Sequence, residues 1–162
     1  MQAEYSHMNF EKENFIRTKF ISLLQKIPTS TEPQWGKMNL QQMIEHFSDV
    51  VMVASGKIKL PIVTPTDKLS RFRDFLMSEK PFKENTKSPV LPEEPTPLKK
   101  HTKEGAIGKL QEELIHFFEA FEKNPGLITT HPVFGELNFE ENIQIMHKHA
   151  LHHLRQFGVN VN

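Results

Sequence analysis

A chain of 162 residues suits one domain and can bury roughly 70% of the surface its unfolded form exposes, so a real core is within reach. Lys plus Arg and Asp plus Glu are each 20, so no excess of positive field attracts nucleic acid or anionic lipid. Cysteine is absent, which excludes disulfides, thiolate metal ligands and a protein thiol nucleophile, and fits any redox compartment.

The first residues, Met1 to His7, lack a basic segment followed by an apolar one. The longest apolar runs, such as Val50 to Ala54, fall far short of the ~20 residues that cross a bilayer. These features predict a soluble, cytoplasmic protein that binds neither nucleic acid nor membrane, with one domain over residues 1–162.

The first long helix is predicted over residues 10–27, where Ile16, Phe20, Leu23, Leu24 and Ile27 recur at helical spacing. Pro28 ends it, because a residue before proline is pushed out of the α region. Residues 28–37 read as a loop with Pro33 and the only tryptophan, Trp35, expected to plug the core beside the next helix. That second helix opens on a capping box, Asn39 with Gln42, and Met38 against Met43 supplies a hydrophobic staple. Its apolar face is Leu40, Met43, Ile44, Phe47, Val51 and Ala54, with His46 flanking the stripe and Gly56 at the position of a C-terminal glycine cap.

Residues 57–103 hold seven of the eleven prolines. One short helix is expected inside, with Thr64 capping, Pro65 first and Asp67 in the first turn, ahead of Leu69, Phe72, Phe75 and Leu76. The segment from Lys87 to Lys103 reads as an extended, partly polyproline arm over the surface, and the whole stretch as a connection without a core of its own. A third long helix over about 104–123 presents Ile107, Leu110, Leu114, Phe117, Phe118 and Phe121 on one side and His116 on the other, and Asn124-Pro125-Gly126 stops it. Residues 127–137 read as a loop that includes His131, expected to order its own turn. No strand-like alternation with hairpin turns stands out.

The last helix, about 138–157, starts on a second capping box, Asn138 with Glu141. Phe139, Ile143, Met146, Ala150, Leu154 and Phe157 form its apolar stripe at ~100° per residue. Four of the nine histidines lie here. His149 and His153 fall on or beside the stripe, while His147 and His152 lie further off it and suit solvent or supporting roles. Cβ atoms at i and i+4 are ~5–6 Å apart, so both rings of the first pair can turn to one ion at ~2.0–2.1 Å from each nitrogen. His46 is the best candidate for a third ligand. Imidazole suits Zn, Ni, Cu and Fe alike, with Zn and Ni the leading candidates. Glu45 and Glu141 stand near these motifs, but helix glutamates are usually solvated, and no general base is identified.

Four long amphipathic helices with a much longer link between the second and third describe an all-α four-helix bundle with a long crossover. The runs W-G-K-M-N-L-Q-Q-M-I-E-H (35–46), H-P-V-F-G-E-L (131–137) and H-K-H-A-L-H-H-L-R-Q (147–156) resemble the DinB/YfiT-like family of metal-dependent enzymes. The resemblance implies an up-down-down-up bundle, often a homodimer, with a divalent metal on one histidine of the second helix and an HxxxH pair of the last. Carried over, these are His46, His149 and His153. A glutamine three places after the last ligand is common in the family, and Gln156 keeps that spacing; Leu154-Arg155 stands where Arg-Gly is common. The resemblance implies thiol S-transferase activity with a low-molecular-weight thiol in some relatives and no known activity in others. Three imidazoles with open coordination positions could also activate a water, so the reading is a metal-dependent hydrolase or thiol S-transferase on a small molecule. The competing reading is a non-catalytic binding or scaffold protein whose histidines hold a structural ion or none.

Overall fold

The computed structural model describes residues 10–85, 95–100 and 102–161, and it is mostly helical with a small two-stranded sheet. Helix α1 spans residues 10–26 and includes a π turn at Phe15–Lys19. The wider turn lets Phe15 and Ile16 both face inward, ahead of Phe20 and Leu24. Ile27 leaves the helix in extended geometry (ψ 121°), as its following proline demands. Lys103 Nζ then donates to the carbonyls of Gln25 and Ile27, at 3.0 and 2.9 Å, covering acceptors the helix end cannot satisfy itself.

Helix α2 (Leu40–Ala54) starts on the predicted capping box: Gln42 N donates to Asn39 Oδ1 at 2.8 Å, and Asn39 N to Gln42 Oε1 at 2.9 Å. It stops at Gly56, whose φ of +83° is open to glycine at little cost. The short helix α3 (Leu69–Met77) follows a 3-10 turn, Thr66–Lys68. Thr64 does not cap it, because its hydroxyl donates instead to the carbonyl of Val133 at 2.7 Å. Helix α4 (Lys103–Lys123) is capped by Thr102, which accepts from Gly105 N at 3.0 Å. His116 on it is exposed, as expected.

The loop reading of residues 127–137 is corrected by an antiparallel ribbon, β1 (Thr129–His131) and β2 (Gly135–Leu137). Its strands are too short to show alternation in sequence. What closes them is His131, whose Nδ1 accepts from the amides of Val133 and Phe134 at 3.0 and 3.3 Å, so the histidine does order its own turn. Helix α5 (Phe139–Gln156) begins on the second predicted box, with Glu141 N to Asn138 Oδ1 at 2.9 Å and Asn138 N to Glu141 Oε1 at 3.0 Å. Removing that cap with Asn138→Ala is expected to cost about 1 kcal/mol in urea unfolding, and Asn138→Asp a few tenths.

One core is shared by α1, α2, α4 and α5, with Phe20 edge-on to Phe47 at 4.7 Å between ring centres. A second, smaller cluster joins Leu76 to Phe134, Leu137 and Ile145, with Phe72, Phe75, Phe82 and Val133 packed against it. The crossover therefore does have a core, contrary to expectation, because its aromatic residues find apolar partners on the ribbon and on α5. Of the arm expected from Lys87, residues 87–94 and 101 lie outside the described residues. Residues 95–100 lie on the start of α2, where Glu45 Oε1 accepts from the amides of Lys99 (2.5 Å) and Lys100 (3.1 Å) and Gln41 Nε2 donates to the Lys100 carbonyl (2.7 Å). Among the described residues no helix is long and apolar enough to cross a membrane.

Candidate metal centre

Helical spacing puts His149 and His153 one above the other on α5, and the packing of α2 against α5 brings His46 to face them. Ring centres are 5.4 Å apart for His46 and His149, 5.2 Å for His46 and His153, and 4.6 Å for His149 and His153. One nitrogen of each ring lies within 4.8 Å of the other two. A tetrahedral ion at ~2.0–2.1 Å from its ligands separates their nitrogens by ~3.3 Å. The Nε2 atoms of His149 and His153 are 2.8 Å apart, so small ring rotations reach that geometry and these three histidines can hold a metal ion.

Gln156 fixes which nitrogen does so. Its amide nitrogen donates to the Trp35 carbonyl at 2.9 Å, which turns its oxygen toward His153 Nδ1 at 2.8 Å. His153 must donate there, and the lone pair falls on Nε2, facing His149. Gly36 allows the close approach: it has φ of +80°, and a Cβ there would meet Gln156 Nε2 at 3.0 Å.

His153 is buried, and His46 and His149 are half-buried. Burial lowers the pKa of His46 against the raising effect of Asp49, and it holds His149 and His153 well below the usual histidine range, aided by the neighbouring histidines. All three are thus neutral at pH 7, the form that ligates. Phe47 lies 5.4 Å from His149 and 6.4 Å from His153, and Phe82 lies 5.9 Å from His149, so apolar rings wall the site.

The other expected residues are placed differently. His147 does not face solvent freely: it stands half-buried on the edge of Phe15 at 5.2 Å, its pKa lowered to about 4 mainly by burial. His152 is also half-buried, between Trp35 and Phe82. Trp35 is no core plug, for it too is half-buried and covers His152 rather than the helix core. Glu141 is buried by its capping role and an ion pair with Arg73, and Glu45 holds the arm, so neither glutamate is simply solvated.

Sequence reasoning missed a latch beside the site. Lys148 Nζ donates to the carbonyls of Ser78 (2.8 Å) and Lys80, Gln144 Nε2 donates to Ser78 O (3.2 Å), and Lys12 Nζ bridges Glu79 (2.6 Å) and Gln144 (2.9 Å). These bonds tie residues 78–80 to α5, and Phe82 follows two places on. The available signal was the pair Gln144 and Lys148 at i and i+4 beside buried Ile145. A groove of about 890 Å³ between α1 and α4, edged by Arg17, Ile115 and Phe118, shares no residue with the histidine cluster.

His131 gives the fold an acid-sensitive point. Burial lowers its pKa to about 4, so below pH 6.5 the unfolded chain takes up a proton that the folded chain refuses, and stability falls as pH drops from 6.5 toward 4. At pH 5 that loss is about 2 kcal/mol. His131→Asn, whose side-chain oxygen can accept the same two amides, is expected to lose about 2 kcal/mol less than wild type between pH 7 and pH 5 in urea titrations.

A family model described as "Protein of unknown function (DUF1569)" matches residues 5–160, nearly the whole chain, including the two helices that carry His46, His149 and His153. No curated protein matches the chain, and no solved structure does.

Proposed function

Taking as premise that the chain belongs to the DUF1569 family, whose description supplies no chemistry, we propose that it is a metal-dependent hydrolase or thiol S-transferase acting on a small molecule. A divalent ion is held by His46, His149 and His153. The observation that carries this is the convergence of three neutral imidazoles from two helices, with Gln156 setting the tautomer of one. Three nitrogen ligands and no protein anion leave open coordination positions, as catalytic zinc sites do. Such an ion, when bound, supplies Lewis acidity and lowers the pKa of a water or thiol nucleophile. The chain's own part is to keep the rings neutral, aim His153 Nε2, and limit water through Phe47 and Phe82. With no cysteine, any thiol comes from a cosubstrate.

We read the fold as a DinB/YfiT-like up-down-down-up bundle of α1, α2, α4 and α5. Two contacts support it: Glu45 near the start of α2 meets residues 99–100 leading into α4, and Lys57 just after α2 meets Glu113 midway along α4 at 2.8 Å. That order makes α2 and α4 parallel, which a long crossover permits.

One observation favours a non-catalytic protein instead: 2.8 Å between His149 Nε2 and His153 Nε2 is also an ordinary N–H···N bond. Metal analysis of protein purified without a nickel column separates the two, followed by a screen for ester hydrolysis and thiol transfer. About one ion per chain with turnover lost on chelation is expected. An ion-free wild type, or metal whose removal unfolds the chain with no turnover found, decides for the rival. Gln156→Ala is expected to weaken metal affinity about 10- to 100-fold while the chain stays folded.

A further inference from the structure

His152 precedes a proposed ligand on α5, and its ring centre lies 5.2 Å from that of His153. Trp35 flanks it at 5.4 Å and Phe82 at 5.8 Å, and Phe82 also reaches His149. All three side chains are half-buried, so their rings are partly open to solvent rather than sealed in the core. His152 Nδ1 is buried with no hydrogen-bond partner among the described residues. Buried polar atoms in settled packing nearly always have a partner, and this one stands beside the metal centre between two aromatic walls.

We propose that Trp35, Phe82 and His152 seat the non-reacting part of the substrate, a flat conjugated group whose hydroxyl hydrogen-bonds His152 Nδ1 while its polar end meets the ion. The inference rests on the metal reading and adds the substrate class. Rings of this kind prefer edge or offset contact with a planar guest, and an alkyl guest would gain neither that contact nor the hydrogen bond.

The test uses cobalt(II)-loaded protein and two probes, 4-hydroxybenzohydroxamic acid and acetohydroxamic acid, which share a chelating group but differ in the flat ring and its hydroxyl. Binding is followed by the visible absorption of cobalt and by Trp35 emission, unambiguous because the chain has one tryptophan. The benzo probe is expected to bind about tenfold more tightly than the acetyl probe and to quench Trp35. The preference should shrink to within about threefold in Phe82→Ala and in Trp35→Leu, and His152→Phe, which keeps a ring but no ring nitrogen, should weaken the benzo probe about tenfold. Equal affinities on wild type, or a preference unchanged in all three variants with cobalt spectra intact, would overturn the seat and leave the metal reading standing. A wild type that takes up no cobalt overturns both.

Discussion

His153→Ala is expected to abolish stoichiometric metal binding, lowering affinity by more than about 100-fold, beyond what loss of a supporting hydrogen bond costs. His153 is the deepest of the three rings, and it alone of the three is bonded to Gln156. Its loss removes a ligand and also leaves the Gln156 carbonyl without the donor it faces, a cost of about 1–3 kcal/mol to folding. His147→Ala is the control, because that ring packs on Phe15 outside the cluster and should keep its ion. Metal content by mass spectrometry and competition with a chromophoric chelator give the comparison. One equivalent of metal in purified His153→Ala would end the three-histidine assignment.

Phe47→Ala should produce the largest loss of stability among these substitutions, about 3–5 kcal/mol. The side chain is fully buried, lies edge-on to Phe20, and stands against both His149 and His153. Alanine there leaves a cavity that α1 and α5 cannot close without shifting the histidine pair. A fall of roughly 10 °C or more in melting temperature is expected for a chain of this size, with Phe47→Leu losing much less because most of the volume stays. If calorimetry finds Phe47→Ala within about 1 kcal/mol of wild type, the ring is not the wedge between core and site that its contacts describe.

The features legible in the sequence are those set by residues a few places apart. Both capping boxes could be read because Asn39 with Gln42 and Asn138 with Glu141 meet across one turn, and the pairing of His149 with His153 follows from a helix period. His46 could be proposed from its place beside a stripe, but its meeting with the pair depends on packing across a hundred residues. The ribbon escaped because its strands are three residues each and its turn is held by a histidine side chain. The small second core escaped for a different reason: Phe72, Phe75 and Phe82 look like isolated aromatics in a proline-rich link until Phe134 and Ile145 are beside them. Thr64 shows local chemistry misleading, since a distant carbonyl of the ribbon outbid the nearby helix start.

Positions 46 and 149 are separated by 103 places along the chain. An ion shared between them would act on the unfolded polypeptide as a reversible cross-link closing a very large loop, and its binding energy would be added to folding only after both halves had come together. Truncated or half-folded copies would be left with an isolated pair on one helix and little grip on the ion. Occupancy would then serve as a quality mark of completed assembly, and resistance to heat would climb with the logarithm of free ion concentration.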